Sequence, residues 1–304
     1  MFNLKNSRHQ LPRNRQSLGR IGIVMATYNQ PSQLAKSLLS YTLQSDSNFD
    51  VILADDGSDD RTAAVVERFS SQLSIRYVWH PDNGFGKCEI LNKAIAASNH
   101  DYLIFTDGDC IAAPNLVAIH RRFAEPSCFL SGTYNNLPPR FKDIITETSI
   151  ESGEAFDLRW LRKQGLPKSK MDLRMHRSST LRHILNATTT TSPNWNGCNA
   201  SGWRSDLIAA NGFDERMGHG GLDRELGYRL ENAGIRGRQI RFFAICLHCD
   251  HTRGYANATQ LQKNHKIRDA AKREDYVRTT YGIDEMLQRH PSETFIRANS
   301  SKVA

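Results

Sequence analysis

Tyr102-Leu103-Ile104-Phe105-Thr106-Asp107-Gly108-Asp109 is a short apolar run that stops abruptly on two carboxylates. A run without polar alternation suits a strand covered on both faces, as in a parallel sheet. The same pattern recurs upstream, where Ile21–Ala26, Phe49–Ala54 and Ile75–Trp79 are further apolar runs of strand length. Helical patterns separate them: Pro31 near a helix start with Leu34, Leu38 and Leu39, then Arg61–Phe69, then Lys87–Ala97. Strand and helix alternate every roughly 25–30 residues, which predicts an α/β chain with a doubly wound, mostly parallel sheet. Ligands of such sheets bind at the carboxyl ends of the strands. Both acidic turns, Asp55-Asp56-Gly57-Ser58-Asp59-Asp60 and Asp107-Gly108-Asp109, fall at that edge.

Downstream of Gly132 the pattern loosens into a basic connection. It recovers at Trp195–Gly202, with a helix near Leu222–Asn232, a strand at Ile240–Leu247 and a terminal helix around Ala258–Thr280. An apolar share of 39% and a charged share of 24% are ordinary for a globular chain that buries a core. No run of about 18 apolar residues is present, which excludes a spanning helix. The basic N-terminus has no apolar stretch behind it, so no secretory signal is expected. Cysteines at 88, 110, 128, 198, 246 and 249 lack the density of a disulfide framework, and a reduced, cytoplasmic chain is expected.

The net charge of +8 is uneven: residues 1–20 hold five Lys/Arg and no acid, and residues 159–183 hold eight against the single Asp172. Such patches suit nucleic acid, an anionic membrane surface or acidic ligands. No recognition-helix, zinc-finger or RNP signature accompanies them, so nucleic acid is not the expected partner.

Two carboxylates separated by one small residue, as in Asp107-Gly108-Asp109, can share one divalent ion with a ligand's phosphates, the usual manner of holding Mg²⁺ or Mn²⁺. Taken alone, the motif fits a polar turn as readily. Further motifs extend it: Val24-Met25-Ala26-Thr27-Tyr28-Asn29, Ala54-Asp55-Asp56-Gly57-Ser58, Asn196-Gly197-Cys198-Asn199, Asn211-Gly212-Phe213-Asp214-Glu215, Gly220-Gly221-Leu222-Asp223-Arg224-Glu225 and His251-Thr252-Arg253. In order and spacing these resemble the inverting family-2 glycosyltransferases of the GT-A fold, of the kind that act in bacterial lipopolysaccharide and capsule synthesis. The resemblance covers about residues 20–255.

The resemblance implies a Rossmann-like nucleotide-binding half at 20–132 fused to an acceptor-binding half at 191–255, through the basic connection 133–190. A disordered basic N-terminus at 1–19 and a C-terminal helical extension at 256–304 complete the expected organisation. The donor is a nucleotide diphosphate sugar, UDP-linked, and the acceptor a saccharide or lipid-linked sugar. By the same resemblance Ala26, Thr27, Asn29 and Asp56 frame the base and ribose, Lys87 and Asn92 line the donor pocket, and Asp55 holds the turn. Asp107 faces ribose or metal, Asp109 is the metal ligand, His251 the third ligand with His248 its fallback, and Arg253 meets the diphosphate.

Asp223 is the implied general base. Leu222 stands where the family often has an acid, which leaves the acceptor's hydroxyls short of a contact that Glu225 could supply. An N-cap aspartate is the alternative reading of Asp223. Trp195 and Trp203 fit a sugar pocket and a core equally well. Cys246-x-x-Cys249 lacks a second ligand pair at zinc spacing and reads as filler of a buried strand. The alternative enzyme, a sugar nucleotidyltransferase, requires a glycine-rich, arginine-bearing phosphate loop, and Ala26-Thr27-Tyr28-Asn29 is not one. The stretch from Arg159 to Arg182 interleaves basic residues with Trp160, Leu161, Leu166, Met171, Leu173 and Met175, which suggests docking on the inner face of the plasma membrane or on the acceptor's phosphates.

Overall fold

The computed structural model describes residues 18–176, 178–249 and 258–290, with backbone alone at 170 and 171. Its strands are β1 (Ile21–Thr27), β2 (Phe49–Asp55), β3 (Ile75–Trp79), β4 (Tyr102–Asp107), β5 (Cys110–Ala112), β6 (Cys128–Ser131), β7 (Thr133–Leu137), β8 (Ala200–Trp203), β9 (Arg236–Gln239) and β10 (Ile245–Cys249). The helices up to β8 are α1 (Pro31–Thr42), α2 (Asp60–Phe69), α3 (Lys87–Ala97), α4 (Leu116–Phe123), α5 (Phe141–Ile144), α6 (Glu147–Glu151), α7 (Leu158–Lys163) and α8 (Ser179–Thr188). After β8 come α9 (Arg204–Ala209), α10 (Leu222–Asn232), α11 (Ala258–Arg273) and α12 (Ile283–Arg289).

A seven-stranded sheet runs in the order β3-β2-β1-β4-β8-β6-β9, and β5-β10-β7 form a small second sheet. Strands β1 to β4 are parallel, whereas β8 runs antiparallel to both β4 and β6. The missing alternation in β1 has a direct cause. Ile21, Ile23 and Met25 enter one apolar layer with Leu34 and Leu38 of α1 and Val66 and Phe69 of α2. Val24 and Ala26 enter the other, with Ile90, Leu91 and Ala94 of α3 and Leu226 and Leu230 of α10. Both faces are therefore apolar, and each fully buried aliphatic side chain contributes about 1.5–3 kcal/mol.

The second half differs from the expectation. Residues 133–190 are not a loose connection: β7 pairs with β10, and Phe141, Ile145, Ile150, Ala155 and Leu161 are buried in the first apolar layer. Trp160, Leu166 and Met175 pack against that layer, so these side chains face inward and not towards a membrane. The strand expected at Ile240–Leu247 starts at Ile245, because Phe243 and Ala244 donate back to the Ile240 carbonyl in a turn. The C-terminal helices are no appendage either. Ile283 and Met286 of α12 lie in the second apolar layer with α3. The N-terminus expected to be disordered lies outside the described residues up to residue 17.

Candidate active site

Parallel register sets Ala26 beside Asp107 and Thr27 beside Asp55. The Gly108 N–H donates to the Ala26 carbonyl at 2.7 Å and the Asp56 N–H to that of Thr27 at 3.0 Å. Both acidic turns are thus pinned to the end of β1. A cavity of about 500 Å³ opens at this edge, lined by Ala26, Thr27, Asp56, Lys87, Asp107, Asp109, Asp223 and His248 among others.

The two aspartates after β2 have different work. Asp55 is fully buried and accepts from the Ser58 N–H at 2.9 Å and from the Tyr77 hydroxyl at 2.5 Å, so it holds the turn. Asp56 lines the cavity, with Oδ2 accepting from the Gly86 N–H at 3.0 Å and Oδ1 set 2.8 Å from His80 Nε2. His80 leads on to Lys93 Nζ, 3.1 Å from its Nδ1, and Lys93 pairs with Glu89 at 2.7 Å. Arg289 and His290 of the C-terminal end approach the same Glu89 at 3.9 and 3.4 Å.

Lys87, the first residue of α3, places Nζ 2.6 Å from Asp107 Oδ1. Burial works against its charge but is outweighed by Asp107, Asp223 and Asp109, which hold it protonated well above the ordinary range. Asp109 Oδ2 lies 3.4 Å from His248 Nε2, and His248 Nδ1 is 2.9 Å from Asn136 Oδ1. Burial disfavours charge on His248, yet its hydrogen bond to Asp109 raises the imidazole above its usual pKa. A site that draws a proton between a carboxylate and an imidazole is also fitted to a divalent cation there. Asp107 and Asp109 converge well enough for their carboxylate oxygens to share one ion.

Asp223 enters the cavity from the first turn of α10. The N-cap of that helix is Gly221 at φ 89°, where a side chain would be strained, and Asp223 makes no cap. Its Oδ1 is buried without a hydrogen-bond partner. Burial pushes the carboxyl up to about 7; Lys87 acts to lower it, while Asp107 and Cys198 raise it further. Gly197 is needed here, since a Cβ at that position would stand 2.4 Å from Asp223 Oδ1. The turn leading to Asp223 is held from α11. The fully buried Asn264 donates to the carbonyls of Gly218, His219 and Gly220 at 2.8–3.0 Å and accepts from the Gly218 N–H at 3.2 Å.

Other expected site residues fall elsewhere. Asn29 does not line the cavity: at φ 48° it accepts from the Asp59 N–H and donates its own N–H to Ser58 Oγ, locking two loops together. Asn92 is fully buried, its amide committed to Phe213 and Glu215. Glu225 is spent on Arg229, which it accepts from at 2.6 and 2.8 Å, and cannot contact an acceptor. Trp195 is fully buried between Phe105 and Phe129, and Trp203 packs on Tyr102. Trp195 is core, and Trp203 is half-buried against the first apolar layer. His251 and Arg253 lie outside the described residues.

Sequence reading missed His80, Asn264 and an aromatic rim of Tyr28, Phe85, His219 and Tyr134 around the cavity. Phe85 and His219 meet edge-on at 6.0 Å. The available signal was the polar turn His80–Gly84 directly after β3, at the same sheet edge as the two acidic turns.

Residues 22–130 match the family model described as Glycosyl transferase family 2. This segment belongs to the family-2 glycosyltransferases. The family-2 segment ends within β6, so Asp223 and His248 come from outside it. Curated relatives extend the likeness further along the chain. Validoxylamine A glucosyltransferase of Streptomyces hygroscopicus subsp. jinggangensis is 30% identical over 232 residues, 71% of this chain and 52% of that protein. Chondroitin synthase of Escherichia coli is 27% identical over 244 residues, 75% of this chain and 34% of that protein. The chain thus spans about half the length of the first relative and about a third of the second. Among solved structures, S. aureus TarS 1-349 in complex with UDP aligns with TM-score 0.56 at 14% identity, over 88% of this chain and 69% of that one. Mannosyltransferase PcManGT from Pyrobaculum calidifontis, in complex with GDP-Man and Mn²⁺, aligns with TM-score 0.54 at 18% identity, over 79% of this chain and 59% of that one. The fold is GT-A.

Proposed function

We propose that the chain transfers a sugar from a UDP-type nucleotide diphosphate sugar to a hydroxyl of a saccharide or glycolipid, with inversion at the anomeric carbon. The observation that carries this reading is one cavity that combines the buried carboxylate of Asp223, its Oδ1 without a hydrogen-bond partner, with the Lys87, Asp107, Asp109 and His248 set. Inversion by direct displacement needs a base near the attacking hydroxyl and positive charge near the departing diphosphate.

Asp56, fixed by His80 and Gly86, accepts the ring N–H of the base, and the backbone at Ala26 and Thr27 frames base and ribose. Lys87 turns from Asp107 towards the diphosphate, with Arg253 a further candidate for that contact. The aromatic rim offers faces on which apolar sides of sugars stack. Asp223 takes the proton from the acceptor hydroxyl, and its raised pKa makes it a stronger base than an ordinary carboxylate. Asp109 and His248, with Asp107, would hold Mn²⁺ or Mg²⁺, which when bound supplies charge that stabilises the leaving diphosphate. His251 remains the alternative third ligand. The neighbours solved with UDP and with GDP-Man and Mn²⁺ support a donor and metal of this class.

The test is a panel of UDP- and GDP-sugars, read by thermal stabilisation and by donor turnover with Mn²⁺, Mg²⁺ or EDTA. A donor at a hundred times its Kd should stabilise the fold by about 2.7 kcal/mol. Asp109→Asn should lower turnover by roughly 10²–10³, the cost of losing leaving-group stabilisation. Full turnover in excess chelator overturns the metal, and an α-linked product from an α-linked donor overturns inversion.

A further inference from the structure

Three cysteines from separate parts of the sequence meet beneath the cleft. Cys110 lies on β5 beside Asp109, Cys198 in the loop before β8, and Cys246 on β10. All three Sγ atoms lie within 4.8 Å of one another, and none of the three is in a disulfide. In the β5–β10 ladder Cys246 sits opposite Ala112 and His248 opposite Cys110, which puts Cys110 and Cys246 diagonally on one face. Cys249, three residues along the strand from Cys246, points to the other face and does not join them. The C-x-x-C spacing therefore describes no site, while Cys246 finds its partners across the fold.

Apolar filling would account for one or two such thiols. Three mutually adjacent sulfurs form a donor set. Thiolates bound to one ion at about 2.3 Å stand roughly 3.8–4.0 Å apart, within the observed limit. Cys110 and Cys246 are fully buried, whereas Cys198 is 9% exposed and lines the cavity, which supplies the entry path. Lys87 lies within electrostatic reach of Cys198, and its charge offsets the net negative charge of three thiolates around a divalent ion.

We propose that Cys110, Cys198 and Cys246 bind one soft, thiophilic divalent cation of the zinc class, at a site distinct from the hard-cation ligands Asp107 and Asp109. Three sulfur–metal bonds form and the three thiol protons pass to solvent, with no change of oxidation state. The ion ties together β5, the loop carrying Gly197, and β10, the elements that position Asp109, Asp223 and His248.

The experiment uses the full chain, reduced and stripped of metal, titrated with Co²⁺ and then Zn²⁺. One Co²⁺ per chain should give thiolate-to-metal charge-transfer absorption that Zn²⁺ abolishes. Bound Zn²⁺ should slow alkylation of Cys198, which lines the cavity, a readout that needs no variant. Cys198→Ser, the partly exposed position, should weaken binding by at least roughly a hundredfold, more than loss of a residue that merely supports a ligand. Cys128→Ser, Cys249→Ser and Asp109→Asn should leave the absorption in place. Absence of charge transfer in folded, reduced protein overturns the proposal, as does its survival in Cys198→Ser. Loss of the band in Asp109→Asn also overturns it, by moving the ion to the mixed group Asp107, Asp109 and Cys110. Because the Asp109 variant separates the two sites, failure here is distinguishable from failure of the glycosyl-transfer reading.

Discussion

Asp223 accepts a proton only when ionised, and burial keeps it protonated up to about pH 7. Transfer should therefore rise with pH through that value, and kcat/KM for the acceptor should show an ascending limb there. Lys87 is the neighbour that lowers the Asp223 pKa, so Lys87→Met should move the limb to higher pH as well as weaken donor binding. Asp223→Asn should keep donor binding in calorimetry while transfer falls by roughly 10²–10⁴. A profile flat across neutrality, or full transfer by the Asn variant, excludes Asp223 as the base. Asp107 and Asp109 stood out in the sequence because each is an acid beside Gly108 at the end of an apolar run, whereas Asp223 was singled out only by the family resemblance around Gly220-Gly221. His80 was not, since what singles it out is a carboxylate 24 positions away.

At the scale of elements, α4 and β8 meet through His120. Its Nδ1 lies 2.7 Å from Ser201 Oγ and its Nε2 2.9 Å from Asn199 Oδ1, while Asn199 donates to the carbonyls of Thr133 and Ala244. This buried network joins the two sheets and anchors the loop that carries Gly197. Burial lowers the His120 pKa to about 4, against the hydrogen bond it donates to Asn199. The unfolded chain takes up a proton near 6.5 that the folded chain refuses until about pH 4. Stability is therefore lost as pH falls through that window, by up to roughly 3 kcal/mol. Urea unfolding across the window should show this slope, and His120→Asn should flatten it; an unchanged slope assigns acid sensitivity elsewhere. Elements of the parallel half were legible because their strands are apolar on both faces. Thr133–Leu137 was not, because Asn135 and Asn136 interrupt the apolar signal and their place is set by pairing with β10. Helix α8 places Leu181, Ile184 and Leu185 at helical spacing yet buries no residue, so its stripe marks no core face.

For the whole molecule, the charge of +8 bears on where it works. Among the described residues no helix is long and apolar enough to cross a membrane. On the basic segment Arg159, Lys163 and Lys168 are exposed, whereas Arg162 pairs with Asp172 and the neighbouring apolar side chains mostly face inward. Attraction to an anionic surface would then rest on charge alone, at about 1 kcal/mol for each exposed cation. Co-sedimentation with anionic vesicles should be measurable at low salt, weaken sharply near 0.1 M, where the screening length is about 10 Å, and fall when the three become Gln. Equal binding by that variant returns the segment to a solvated surface. Asn264 carries a different kind of consequence, one of timing. Ala26, Thr27, Asp56, Lys87, Asp107 and Asp109 have all been made by residue 109, but His248 comes later and the turn before Asp223 gains its clamp only when α11 follows. At about 5–20 residues per second, ribosomal synthesis separates the two events by roughly 10–30 s. For that interval the turn before Asp223 is without the three hydrogen bonds that Asn264 gives it, so the carboxylate end of the cavity is the last to be fixed.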